Sequence, residues 1–128
     1  MANICLITTS QPSTNPRLVK EADALTGVGH QVTVLYCYRA EWAMKADQIL
    51  FKSVKWRYQL VGGTPISQKW LYFWTRLRRK FSENFSFIPL SLERSCCQAY
   101  DELIKKAKST QADFFIAHNP GALPVAYS

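Results

Sequence analysis

No apolar run in the 128-residue sequence reaches the roughly 18 residues that a membrane-crossing helix needs. The first residues, MANICLITT, lack a basic leader and run straight into an apolar segment, so no signal peptide is expected. Metal-ligand spacing is missing from the four cysteines. Cys5 and Cys37 fall in apolar strand-like runs, and Cys96 and Cys97 are adjacent, which disfavours a bridge between them. Reduced thiols in a cytoplasmic protein are the plain expectation. Glycine is sparse: no GxGxxG follows the first apolar run, and no P-loop occurs anywhere. No acidic pair of the phospho-receiver type closes that run, and there are no internal repeats.

The residues present describe one domain, 1–128, with 48% apolar content and mixed charge that exclude a disordered chain. Asn3 to Leu35 reads as strand, polar loop, helix, glycine turn and strand. Ile4 to Ile7 is a short apolar run suited to a strand covered on both faces. TTSQPSTNP follows as a loop, and Asn15 can cap a helix with Pro16 at its first position. Leu18, Val19, Ala22 and Leu25 give that helix an apolar side, and Gly27 and Gly29 stop it. Gln31 to Tyr38 is the next strand. A right-handed crossover makes the two strands parallel neighbours.

Further along, Ala40 to Ile49 suits a short helix or a loop. Val54 to Leu60 alternates as a half-exposed edge strand, and Gly62-Gly63 breaks the chain. A helix is expected over Ser67 to Phe81, a connection broken by Pro89 after it, then a helix from Ser91 to about Ser109. Asp113 to His118 repeats the apolar-strand pattern, and a final helix begins near Leu123. This alternation predicts a doubly wound, Rossmann-like α/β fold with parallel strands ordered 3-2-1-4. Ligands of such sheets bind where the first and fourth strands send their connections to opposite faces, beyond the carboxyl ends. Both Asn-Pro loops, at Asn15 and Asn119, should land there.

Thr9, Ser10, Ser13, Thr14, Asn15, Arg17 and Asn119 are therefore candidate ligand contacts, set against a capping loop with solvated hydroxyls. His118 ends the fourth strand and is the candidate for chemistry, set against a hydrogen-bonded structural histidine. The net charge of +7 gathers at Lys69 to Lys80 and at Lys105, Lys106 and Lys108. SQKWLYFWTRLRRKF places Trp70, Leu71, Trp74, Leu77 and Phe81 on one helical face with Phe73 at its margin. One expectation is a helix packed on the sheet with a solvated basic side. Another is a helix at an anionic membrane surface, with Trp70, Trp74, Arg76, Arg78, Arg79 and Lys80 as its contacts. A nucleic-acid patch is a third, but no nucleic-acid module matches, and no nucleic acid is expected as a partner.

NPRLVKEADALTGVGHQVTVL resembles the N-terminal domain of GT-B glycosyltransferases, family 4 of the retaining enzymes. Glu21, Ala22, Leu25, Gly29, His30, Val32 and Val34 fill that family's E-A-x-x-L and G-H-x-V-x-V patterns. DFFIAHNPGALPVAY matches the family's strand ending in a histidine that points into the interdomain cleft. The two stretches cover about half the chain. TTSQPSTNP stands where many members carry a glycine-rich loop, and neither later strands nor the donor domain's E-x7-E follows.

The resemblance implies the truncated acceptor-side part of an enzyme that moves sugar from a nucleotide-sugar to a lipid-linked or polysaccharide acceptor. Anomeric configuration would be retained, with no metal or cofactor and the nucleotide-sugar as co-substrate. It implies that His118 contacts the sugar or acceptor, and that the part alone transfers nothing. A site at the inner face of the membrane fits its lipid-linked acceptors. The alternative is a non-enzymatic ligand- or partner-binding α/β domain. Without later strands, 113–118 would be an apolar edge, and a homodimer or aggregation through it is expected.

Overall fold

The computed structural model describes residues 1–84 and 91–128, without the Ser91 side chain. The expected break at Pro89 and any Ser91 cap lie outside the described residues. Four parallel strands form the sheet: β1 (Asn3–Ile7), β2 (Gln31–Cys37), β3 (Arg57–Val61) and β4 (Phe114–Ala117). Their order is β3-β2-β1-β4, as the alternation of elements predicts. The helices are α1 (Pro16–Gly27), α2 (Glu41–Leu50), α3 (Lys69–Asn84), α4 (Ser91–Cys96), α5 (Tyr100–Ser109) and α6 (Leu123–Tyr127).

Alternation along the central strand divides the core. Ile4 and Leu6 of β1 pack with Leu18 and Ala22 of α1, together with Val32, Val34 and Trp56. Cys5 and Ile7 face the other way, against Leu103 and Tyr100 of α5 and Val125 of α6. Each Leu- or Ile-sized side chain so buried contributes about 1.5–3 kcal/mol, which is why this run resists any other register. The cap on α1 forms as expected: Asn15 Oδ1 accepts from Leu18 N at 3.3 Å, with Pro16 at the first position. Gly29 takes φ 94° beyond the helix end, where a side chain would be strained.

Three expectations change. The helix from Ser91 to Ser109 is two helices, α4 and α5, bent at Cys97 to Ala99. A continuous helix would turn Cys97 away from the stripe carrying Ala99, Tyr100, Leu103 and Ala107; the bend brings all five inside. Gly62, at φ 89°, makes room for it, since a Cβ there would lie 2.5 Å from the Ala99 Cβ. The fourth strand is not covered on both faces: Phe114 is 60% exposed and β4 ends the sheet.

The third change concerns α3, which does not pack by its aromatic face. Its buried residues are Thr75 and Ser82. Thr75 Oγ1 donates to Tyr72 O at 2.8 Å and accepts from Gln98 Nε2 at 3.1 Å, and Ser82 Oγ donates to Arg78 O at 3.1 Å. Small side chains that satisfy their own hydroxyls let α3 lie close against α4 and the bend after it. The aromatic stripe is left outside.

Candidate functional site

The loops after β1 and β4 meet at the carboxyl end of the sheet. Asn119 Oδ1 accepts from Thr9 N at 3.4 Å, and Asn119 Nδ2 donates to Thr8 Oγ1 at 3.1 Å. Gly121 lets the turn after β4 close on Thr9, since a Cβ there would lie 3.1 Å from Thr9 Cγ2 and 2.9 Å from Cys96 O.

Most of the polar loop is engaged within the protein. Ser10 and Thr8 are buried and share a hydroxyl contact of 3.1 Å. Ser13 N donates to Asp47 Oδ1 at 2.9 Å and its hydroxyl to Ala43 O at 3.2 Å. The Thr14 hydroxyl donates to Gln11 O at 2.6 Å, Asn15 caps α1, and Arg17 is exposed on that helix. The centre of the loop is a residue the sequence reading passed over. Gln11 is 1% exposed; its Oε1 accepts from Arg39 N at 2.9 Å and Ala40 N at 2.8 Å. Its Nε2 donates to buried Asp47 at 3.3 Å. Gln11 thus ties the first loop to the start of α2. Of the seven expected contacts, Thr9 alone borders the cleft described next.

A cavity of about 320 Å³ opens above the ends of β1 and β2, lined by Thr9, Tyr38, Arg39, Tyr72, Ser95 and Cys96 of α4, and Cys97 and Gln98 of the bend. Arg39, Tyr72, Arg79 and Gln98 also line an adjoining groove of about 510 Å³, which Arg76, Lys80 and Glu83 complete. Tyr38 and Tyr72 meet edge to face, with ring centres 5.6 Å apart. Arg79 pairs with Glu83 at 2.9 Å. Among the described residues no carboxylate pairs with Arg39, Arg76 or Lys80. The cleft therefore has hydroxyls inside and cations at its rim. The sequence alone could not reveal Arg39, Tyr38, Tyr72 or Gln98 as neighbours, because they come from elements far apart in the chain.

Cys37 and Cys97 lie buried at the cleft floor, and all four cysteines are free thiols. The Cys37 thiol donates to Cys97, which holds Cys97 below the ordinary thiol range and pushes Cys37 well above it. Burial raises Cys5, in the core, to about 12.

His118 lies on the other side of the sheet. Its side chain is 5% exposed under α1, with Nε2 2.7 Å from Glu21 Oε2. The buried nitrogen lies close to that oxygen without making a hydrogen bond to it. His118 is not among the residues lining the groove. It follows that the expected histidine and the expected polar loop do not form one open constellation.

On α3 the two tryptophans stand outward, Trp70 90% exposed and Trp74 60%, with Phe73, Leu77 and Phe81 about half exposed. This replaces the expectation of a helix packed on the sheet by its apolar face. Arg78 does not belong with the outward cations. Its guanidinium reaches Asp101 Oδ2 at 3.0 Å and Glu102 Oε1 at 2.6 Å, joining α3 to α5. Arg76 and Lys80 line the groove, between the aromatic stripe and the cleft. Among the described residues no helix is long and apolar enough to cross a membrane. Comparisons with protein families, with curated proteins and with solved structures find no match.

Proposed function

We propose that this chain is the acceptor-side part of a retaining glycosyltransferase of the GT-B type. One observation carries the reading. The two stretches that resemble the family lie nearly a hundred residues apart in sequence, yet the glutamate of the first meets the histidine of the second: Glu21 Oε2 lies 2.7 Å from His118 Nε2. The parallel 3-2-1-4 sheet and a cleft beyond its carboxyl ends also support it.

In this reading a nucleotide-sugar gives its sugar to an acceptor held in the cleft beside Thr9. The resemblance assigns His118 to the transferred sugar; in this part alone its ring is closed off beside Glu21. The reading frame after Ser128 should then encode a donor domain with E-x7-E; a stop codon there would sink the proposal. In the enzyme that joins both parts, His118→Ala should lower kcat/KM for sugar transfer by about a hundredfold or more. Unchanged kinetics would remove the role assigned to it.

The exposed stripe of α3 supports a site of action at the cytoplasmic membrane surface. Binding to anionic vesicles in co-sedimentation should exceed binding to neutral ones, and Trp70→Ser with Trp74→Ser should abolish it. Equal pelleting with both vesicles, or none, would count against it. A second reading, a non-enzymatic binding domain with a basic surface, is favoured by one observation: the His118 side chain is nearly closed off.

A further inference from the structure

The groove along α3 holds more positive charge than the fold uses. Arg39 arrives from the end of β2, and Arg76, Arg79 and Lys80 from two successive turns of α3. Glu83 is the groove's one carboxylate among the lining residues, and Arg79 already pairs with it at the exposed rim. Like charges converging on one space repel, and among the described residues no carboxylate pairs with Arg39, Arg76 or Lys80. The fold nevertheless fixes the backbone from which they rise. Buried Gln11 pins the backbone at Arg39, while the Arg78 contacts to Asp101 and Glu102 fix the roll of α3. Guanidinium groups converging on an open groove match the planar, two-point geometry of phosphate oxygens.

We propose that this groove binds the phosphate or diphosphate group of an anionic acceptor, through Arg39, Arg76 and Arg79, with Lys80 at its outer end. The adjoining cavity, with Thr9, Tyr38 and Ser95, receives the hydroxyl-bearing part of the same molecule. Arg76 and Lys80 stand next to the aromatic stripe, so an acceptor can reach the groove from a lipid surface or from solution. The word acceptor rests on the glycosyltransferase reading, whereas the capture of phosphate does not.

Isothermal titration of the chain with inorganic pyrophosphate tests it directly. Saturable one-to-one binding is expected, weakened about tenfold or more in Arg39→Ala with Arg76→Ala, by loss of two charge-assisted contacts. Lys105→Ala with Lys108→Ala removes the same charge from α5, outside the groove, and should leave the affinity nearly unchanged. All four side chains belong to exposed residues, so the variants should fold, and their thermal melts verify this. No saturable binding, or equal losses in both pairs, overturns the proposal. Arg76→Lys, which keeps charge without the fork, should fall between wild type and the double variant.

Vesicles carrying phosphatidylglycerol separate the sources. Release of bound protein by pyrophosphate assigns the groove to a lipid headgroup; vesicle binding that persists in saturating pyrophosphate assigns it to a soluble phosphate. Pyrophosphate binding without sugar transfer in the joined enzyme would remove the enzymatic reading and leave the site standing. Transfer without pyrophosphate binding would remove the site alone.

Discussion

Gln11→Ala is the substitution that tests most directly how the first loop is built. The wild-type carboxamide satisfies Arg39 N at 2.9 Å, Ala40 N at 2.8 Å and one oxygen of buried Asp47 at 3.3 Å. Truncation leaves two backbone donors unpaired, at about 1–3 kcal/mol each. Both are only partly buried, so water recovers some of that loss, while the space vacated by the side chain adds to it. The sum is about 3–4 kcal/mol, a large share of the roughly 5–15 kcal/mol that holds an ordinary domain together. For a chain of this size it corresponds to a fall in Tm of about 10–16 °C, measured by calorimetry or circular dichroism.

Gln11→Glu is the sharper companion. It keeps two acceptors for Arg39 N and Ala40 N but sets a second carboxylate against Asp47. One of the two then ionises only above its unfolded pKa, so its stabilising contribution is present at low pH and lost as pH rises. The variant should be more stable near pH 5 than near pH 7.5, relative to wild type. A loss under about 1 kcal/mol in Gln11→Ala, or no pH dependence in Gln11→Glu, would refute the view that this buried network builds the loop.

Arg78→Ala should cost about 1–3 kcal/mol in denaturant unfolding, since it strands the half-buried Glu102 and leaves Asp101 with Arg94 as its remaining partner. Gly62→Ala should cost about 2 kcal/mol or more, because it combines φ 89° with a 2.5 Å approach to Ala99. The fold should weaken at alkaline pH. Cys5 rises on burial from 9.0 to about 12 and Tyr36 from 10.0 to about 12, so their contributions are complete below pH 9 and lost as pH climbs to 12. Unfolding midpoints followed across that window check the sign. Pairing through the outer edge of β4 should give a concentration-dependent dimer in light scattering, which Phe114→Lys should suppress; a monodisperse wild-type monomer at high concentration would refute it.

Local patterns alone determined much of this protein. Ile4 to Ile7 is apolar on consecutive residues, which suits a strand covered on both faces, and Asn15-Pro16 suits the start of a helix. These choices depend on side chains a few residues apart. Strand order also follows from the alternation of elements, because a right-handed crossover leaves few arrangements. The resemblance tied to Glu21 and His118 rested on the same short stretches.

What the tertiary structure decided concerns direction and company. An apolar stripe on a helix ordinarily marks its packing face, but α3 turns Thr75 and Ser82 inward and leaves Trp70 and Trp74 in solvent. The sequence contains both faces and cannot say which one meets a neighbour. Likewise the loop TTSQPSTNP has the composition of a ligand loop, and only the arrival of Asp47 and Arg39 makes it a plug centred on Gln11. The basic groove depends on the same kind of meeting, since Arg39 and Arg76 lie far apart along the chain and share a surface only after β2 and α3 have packed.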